Sequence, residues 1–151
     1  MNKNNRLTYI IYEGPDCVGK TTTRKLVEKH RDGKDIVLDR FIGSNIVFGS
    51  INHRYTLEEM QSLWFDDYLF VARFNPALVY LYAPVDTLIE RIKNTKHEDI
   101  DKEKLEKTLI EFDKYFDRSD HKNKIKINTS IYNQEEVVRQ IINFLENAET
   151  K

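Results

Sequence analysis

The sequence predicts an α/β domain, a parallel sheet of about four core strands with helices on both faces. Three observations carry this expectation. Short apolar runs alternate with amphipathic helical patterns along the whole chain. The clearest run, Leu78-Val79-Tyr80-Leu81-Tyr82-Ala83, has no polar alternation, as a strand covered on both faces requires. A glycine-bounded loop, Gly14 to Thr21, joins the first apolar run to the first helical pattern, which is the layout of a phosphate-binding strand–loop–helix unit.

Taken in order, Thr8-Tyr9-Ile10-Ile11-Tyr12 is the first strand, ending at Glu13. A helix follows from about Thr21 to His30, stopped by the turn pair Asp32-Gly33. Ile36-Val37-Leu38-Asp39 reads as a short strand buried on both faces. Phe41 to Arg54, with Gly43, Ser44, Asn45, Gly49 and Asn52, reads as irregular. Thr56-Leu57-Glu58-Glu59 is a capping-box start for a helix whose apolar positions run from Leu57 through Met60, Leu63, Trp64 and Tyr68 to Val71. Asn75-Pro76 ends it, and the Leu78–Ala83 strand runs up to Pro84. Asp86 reads as the cap of a helix reaching about Lys93. Asn94 to Asp99 is charged and aperiodic, whereas Leu105, Leu109, Phe112 and Phe116 mark a long amphipathic helix. Ile125-Lys126-Ile127 is a last short strand, and Glu135 to Leu145 a closing helix.

A length of 151 residues suits one domain spanning 1–151. With 24 Lys+Arg against 25 Asp+Glu, the chain is not a general polyanion binder. No apolar run approaches membrane-spanning length, and Met1 to Arg6 lacks the apolar core of a leader, so a cytoplasmic protein without a membrane partner is expected. Cys17 is the single cysteine and forms no internal disulfide. His30, His53 and His121 lack ligand spacing, and no zinc site is expected.

Gly14-Pro15-Asp16-Cys17-Val18-Gly19-Lys20-Thr21 fits G-x-x-x-x-G-K-[ST] at every fixed position, and with Thr22 it forms the predicted triphosphate cradle. Backbone N–H groups and the helix dipole point into such a loop. Lys20 would reach the β- and γ-phosphates, and the Thr21 hydroxyl would hold Mg²⁺. Asp39, at the tip of the neighbouring strand, is a candidate second oxygen ligand for Mg²⁺, and the Arg40 fork suits a phosphate, although a surface ion pair is the plainer reading of the two. Phe41, Phe48, Tyr55 and Trp64 are candidates for stacking on a base, although burial is the commoner task of aromatic rings. Arg54 and Arg73 are further candidate anion contacts.

These pieces resemble the thymidylate kinase branch of the nucleoside monophosphate kinases. The matching residues are Glu13-Gly14-Pro15-Asp16, then Asp39-Arg40-Phe41 with Ser44, then Pro76 to Leu81 leading to Pro84. Asp86 to Arg91 resembles the helix entering the family's lid, and Ile125 to Ser130 before Glu135-Glu136-Val137 its last strand and helix. The resemblance implies a P-loop kinase-type three-layer sandwich that uses ATP and Mg²⁺. It implies that Asp16 contacts the acceptor's sugar 3′-hydroxyl, that Arg40 holds the acceptor phosphate, that Asp39 serves the magnesium site, and that Asn128 to Ser130 lie near adenine. It further implies a short lid around 93–100, supplying cations from Arg91, Lys93, Lys96 and His97, with Arg91 as the catalytic candidate. A homodimer through the Leu57–Val71 helix is also implied.

The chain departs from the family between its first helix and Asp39. The long insertion that closes over the acceptor base is missing, and Gly49 stands near the place of a glutamine or serine. The expected activity is phosphoryl transfer from ATP to a deoxynucleoside monophosphate, dTMP first. A deoxynucleoside or nucleic-acid acceptor, or an ATPase module without an acceptor, is the alternative. No Asn-Lys-x-Asp guanine-reading motif is present.

Overall fold

The computed structural model describes residues 9–96 and 99–150. β1 (Tyr9–Glu13) leads through the glycine-bounded loop to α1 (Lys20–His30), and β2 (Ile36–Asp39) follows. Then come α2 (Ile42–Ile51), α3 (Leu57–Phe74), β3 (Ala77–Tyr82), α4 (Val85–Lys96), α5 (Lys102–Arg118), β4 (Asn123–Asn128) and α6 (Gln134–Glu149). The four strands form one parallel sheet in the order β2-β1-β3-β4.

The pleat sends alternate residues to opposite faces. Ile10, Tyr12, Val79 and Leu81 pack with Val27 of α1, Leu88 of α4 and Ile141 and Leu145 of α6. Ile11, Leu78 and Tyr80 pack on the other face with Ile46 and Val47 of α2 and Phe112 and Tyr115 of α5, and Trp64 and Phe70 of α3 join them. This is the expected three-layer sandwich. Each fully buried Leu or Ile contributes about 1.5–3 kcal/mol, so β1 and β3, buried on both faces, anchor the sheet.

Several elements obey their local signals. Thr56 accepts from Glu59 N at 3.2 Å while the Glu59 carboxylate accepts from Thr56 N at 2.8 Å, a complete capping box. α3 ends at Asn75 in the left-handed conformation (φ 44). Asp101 and Asn133 cap α5 and α6.

Four sequence expectations are corrected. Residues 42–51 are helical, not irregular. Glycines and asparagines weaken the local signal, but apolar Ile46 and Val47 dock this segment onto the sheet, and burial overrides propensity. β2 is an edge strand rather than one buried on both faces: Val37 and Leu38 are half-buried, one against each core cluster, and Ile36 is 45% exposed. Asp86 lies inside the first turn of α4, which begins at Val85, and accepts from Lys102 Nζ at 3.1 Å. The aperiodic lid segment is helical up to Lys96, and His97 lies outside the described residues.

Candidate active site

The phosphate loop emerges between β1 and β3, where the chain turns to β2 on one side and later returns as β3 on the other. Ligands of parallel sheets bind outside the carboxyl ends of the strands at such a switch point. Gly14 (φ 138) is required here. A Cβ at this position would stand 2.1 Å from the Leu81 carbonyl oxygen of β3. Gly19 (φ 85) turns the chain into α1 in the left-handed region, and Cys17 (φ 60) is half-buried within the loop.

Lys20 is buried and folds back over this loop, donating to the Gly14 carbonyl at 2.8 Å and the Pro15 carbonyl at 2.6 Å. Burial first, and the nearby Arg40 charge second, lower its pKa to about 8. A phosphate is the stronger acceptor for such an ammonium. The loop's glycines, this lysine and the helix N-terminus at Thr21 and Thr22 therefore fit a triphosphate. The Thr21 hydroxyl and the Asp39 carboxylate fit Mg²⁺, a hard cation that takes few protein oxygens and completes its shell with phosphate and water. Asp39 is held by Arg24 of α1 at 3.1 Å. Among the described residues no group of three His, Cys, Asp or Glu side chains is arranged around a metal position.

Arg40 follows β2 in the left-handed conformation (φ 63). Its guanidinium pairs with Asp16 and lies 5.2 Å from the centre of the Phe48 ring. Lys96, at the end of α4, donates to the other Asp16 oxygen at 3.2 Å. Burial alone would raise the Asp16 pKa, but Arg40 and Lys96 hold it below the usual carboxylate value. An open cleft of about 730 Å³ begins at this cluster and runs along α2, past Phe41, Ser44, Asn45, Phe48 and Asn52 to Arg54, with Lys104 of α5 beside it.

Arg91 lies elsewhere. It donates to the Cys17 carbonyl at 3.2 Å and to the Thr129 hydroxyl and carbonyl at 3.0 and 2.9 Å. It thereby ties the phosphate loop to the segment after β4, and it lines a separate cavity of about 310 Å³ with Gly19, Thr23, Thr129, Tyr132 and Gln134. Of the α4 cations, Lys96 is the one that reaches Asp16.

The remaining candidates divide by the same geometry. Phe41, Phe48 and Arg54 line the large cleft. Trp64 lies under Arg118 at 4.3 Å, away from Arg40. Arg73 lies over Phe74 at 5.5 Å, close to the start of β3 and so at the opposite end of the sheet from the loop. Asn45 and Asn52 were not singled out as candidates in the sequence. Their spacing from Phe41 and Phe48 gives one helical face, a signal hidden by reading the segment as irregular.

Glu13, between the last apolar residue of β1 and Gly14, is 1% exposed. Its carboxylate accepts from Phe41 N at 2.9 Å, Ser44 N at 3.1 Å and the Ser44 hydroxyl. Burial pushes its pKa up, against these hydrogen bonds and the Lys20 charge.

The loop fits a triphosphate, a cleft bearing Arg40 and Lys104 lies beside it, and a second cavity runs along the loop's other flank. No curated protein matches the chain. Among solved structures, the YorR protein from Bacillus subtilis, in complex with phosphorylated GDP, superposes with a TM-score of 0.77 at 19% identity, over 95% of this chain and 99% of that one. Deoxyadenosine kinase from M. mycoides with bound dCTP superposes with a TM-score of 0.69 at 14% identity, over 92% and 99%. The same kinase with bound dATP gives 0.65 at 14%, over 91% and 99%. At such identities the likeness establishes the fold. The family model for thymidylate kinase matches residues 22–141, most of the chain beyond the loop. With its phosphate loop, its parallel sheet and this match, the chain is a nucleotide phosphotransferase and belongs to the thymidylate kinase family.

Proposed function

We propose that the chain transfers the γ-phosphoryl group of ATP to a deoxynucleoside monophosphate, with dTMP as the first acceptor. The observation that carries this reading is the meeting of two cation sites at Asp16. Lys20 lies behind the loop on the donor side, and Arg40 stands at the mouth of the cleft. A transferring phosphoryl group has to pass between a donor cradle and an acceptor clamp so disposed.

In this reading Gly14, Pro15, Asp16, Cys17, Val18, Gly19, Lys20, Thr21 and Thr22 wrap the triphosphate, and Lys20 turns from the loop carbonyls to the β- and γ-phosphates. Arg40 leaves Asp16 for the acceptor phosphate, and Asp16 becomes free to accept from the sugar 3′-hydroxyl. An acceptor phosphate oxygen attacks the γ-phosphorus, the bond to the β-bridging oxygen breaks, and ADP leaves. The attacking oxygen is already anionic, so no general base is needed. Lys96, and Arg91 from the loop's other flank, supply positive charge from α4. Mg²⁺, held by Thr21 and Asp39, would neutralise charge on the phosphate oxygens when bound. Adenine would sit near Asn128, Thr129 and Ser130, of which Thr129 lines the cavity beside Arg91.

A deoxynucleoside acceptor is the second reading. The short link from α1 to β2 favours it, because no inserted helices close over the cleft, and so does the likeness to a deoxyadenosine kinase. A nucleic-acid end is a third acceptor class. An exposed row on α3, formed by Leu57, Phe65, Tyr68 and Leu69, supports a homodimer through that helix. Among the described residues no helix is long and apolar enough to cross a membrane, in keeping with work in the cytoplasm.

The deciding experiment follows labelled γ-phosphate from ATP-Mg²⁺ to dTMP, other deoxynucleoside monophosphates, deoxynucleosides and a short DNA, with Lys20→Ala as control. Labelled diphosphate from dTMP is the expected result. Label only on nucleosides or DNA would move the acceptor to another class, and hydrolysis without any acceptor would reject the transferase reading.

A further inference from the structure

Glu13 is a buried carboxylate beside the phosphate loop that the reaction outlined above gives no task. Its oxygens are taken up by the start of α2, which lies 28 residues on in sequence. That helix has no cap of its own, because its N-cap residue is Phe41, which offers no side-chain acceptor. Glu13 supplies one from across the sheet. It accepts from the Phe41 and Ser44 N–H groups and from the Ser44 hydroxyl, and its charge sits at the positive end of the helix dipole.

Arg40 stands between two such ties. Its own N–H donates to the Tyr12 carbonyl at 2.9 Å, and the next N–H, that of Phe41, donates to Glu13. Consecutive residues of β1 thus grip consecutive N–H groups on both sides of Arg40. The left-handed conformation of Arg40 is unfavourable for a residue with a Cβ, so it persists only where its neighbours hold it. Gly43 completes the fit. A Cβ there would stand 3.0 Å from Glu13 Oε1 and 2.5 Å from Tyr115 Cε1, so the helix approaches Glu13 as closely as it does only with glycine at this position.

We propose that Glu13 is a positioning residue for the acceptor side of the reaction: by capping α2 it sets the conformation and reach of Arg40. Because Glu13 also abuts Gly14, one residue sets the spacing between the donor cradle and the acceptor clamp. The inference rests on the assignment of Arg40 to the acceptor phosphate.

The test compares wild type with Glu13→Gln, Glu13→Ala and Ser44→Ala. It measures the acceptor KM, ATP-analogue affinity without acceptor, thermal unfolding, and amide hydrogen exchange at Phe41 and Ser44. Gln keeps an acceptor for the two N–H groups but loses the charge, whereas Ala loses both. The expected result is an acceptor KM raised about tenfold in Glu13→Gln and further in Glu13→Ala, with ATP-analogue affinity within about twofold and faster exchange at both amides. Ser44→Ala moves the same quantities less, and decides the matter if the Glu13 variants do not fold. An unmoved acceptor KM in folded variants, or an equal loss of ATP affinity, would overturn the proposal. If wild type transfers to no monophosphate, the activity reading fails, and the exchange arm decides the cap: faster exchange in Glu13→Gln upholds it and unchanged exchange overturns it.

Discussion

Arg40 is ion-paired with Asp16, 24 residues away in sequence, where the phosphate loop meets the large cleft. In the proposed reaction the pair joins the donor and acceptor sides, and an entering acceptor phosphate would compete with the Asp16 carboxylate for the same fork. Arg40→Ala is expected to raise the acceptor KM by about 10- to 100-fold while ATP affinity changes little. Arg40→Lys should restore only part of this, because a point charge replaces a bidentate fork. Steady-state kinetics with each substrate varied check this, and an unchanged acceptor KM would remove Arg40 from the acceptor site.

Lys20 carries a pKa lowered to about 8 in the free protein, by burial and then by Arg40. The folded state therefore binds fewer protons than the unfolded chain between pH 8 and the ordinary lysine value of 10.5, and this group's contribution to stability rises with pH across that window. ATP binding runs the other way, because phosphate favours the ammonium. At about pH 8.5 binding should take up a fraction of a proton, read by calorimetry in two buffers of different ionisation enthalpy. Lys20→Arg should abolish the uptake, and Lys20→Ala should abolish transfer without loss of helical circular dichroism. Equal heats in the two buffers for wild type would contradict the assignment.

Two glycines of α2 should respond differently to alanine. A Cβ at Gly43 meets the buried Tyr115 ring at 2.5 Å, and overpacking of about 1–3 kcal/mol should exceed the gain of about 1 kcal/mol in helix propensity. At Gly49 the obstacle is the Tyr55 ring at 2.3 Å, but Tyr55 is 38% exposed and has room to swing away. Denaturant melts should show Gly43→Ala clearly destabilised and Gly49→Ala near wild type. The reverse order would mean that the Tyr115 contact is not tight.

Asp67 of α3 is buried and accepts from the Tyr115 hydroxyl at 3.0 Å, and burial pushes its pKa up to about 6. The folded state thus holds a proton between the unfolded value of 3.8 and about 6, and stability contributed by this group falls as pH rises through that range. Asp67→Asn keeps an acceptor for Tyr115 and removes the charge. Its expected effect is a gain of roughly 1–2 kcal/mol near neutral pH that fades towards pH 4. His121, 3.4 Å from the same hydroxyl, has a pKa lowered to about 4 by burial and opposes this slope in wild type. Thermal melts across pH 4 to 8 check both signs, and a gain independent of pH would assign the effect to packing.

Placing a charge on the exposed row of α3 tests self-association. Phe65 and Leu69 are 59% and 47% exposed, one helical turn apart. The double variant Phe65→Lys with Leu69→Lys should sediment as a monomer where wild type sediments as a dimer. A monomeric wild type at high concentration would end the homodimer reading.

The phosphate loop, β1, β3 and the long helices were legible in the sequence because their signals are local. Gly14 and Gly19 stand at motif spacing, β3 is an unbroken apolar run, and the Thr56–Glu59 box is written within four residues. What only the tertiary structure decided is non-local. Ile42–Ile51 is a helix because buried apolar contacts outweigh its glycines and asparagines, and because a carboxylate from β1 caps it. β2 stands at the edge because strand order is set by crossovers, which no four-residue run encodes. Arg91 and Lys96 lie five positions apart on one helix, yet one ties the loop to Thr129 and the other reaches Asp16. The family resemblance implied a lid role for both cations, and the packing of α4 against the loop and α5 turned each to its own side.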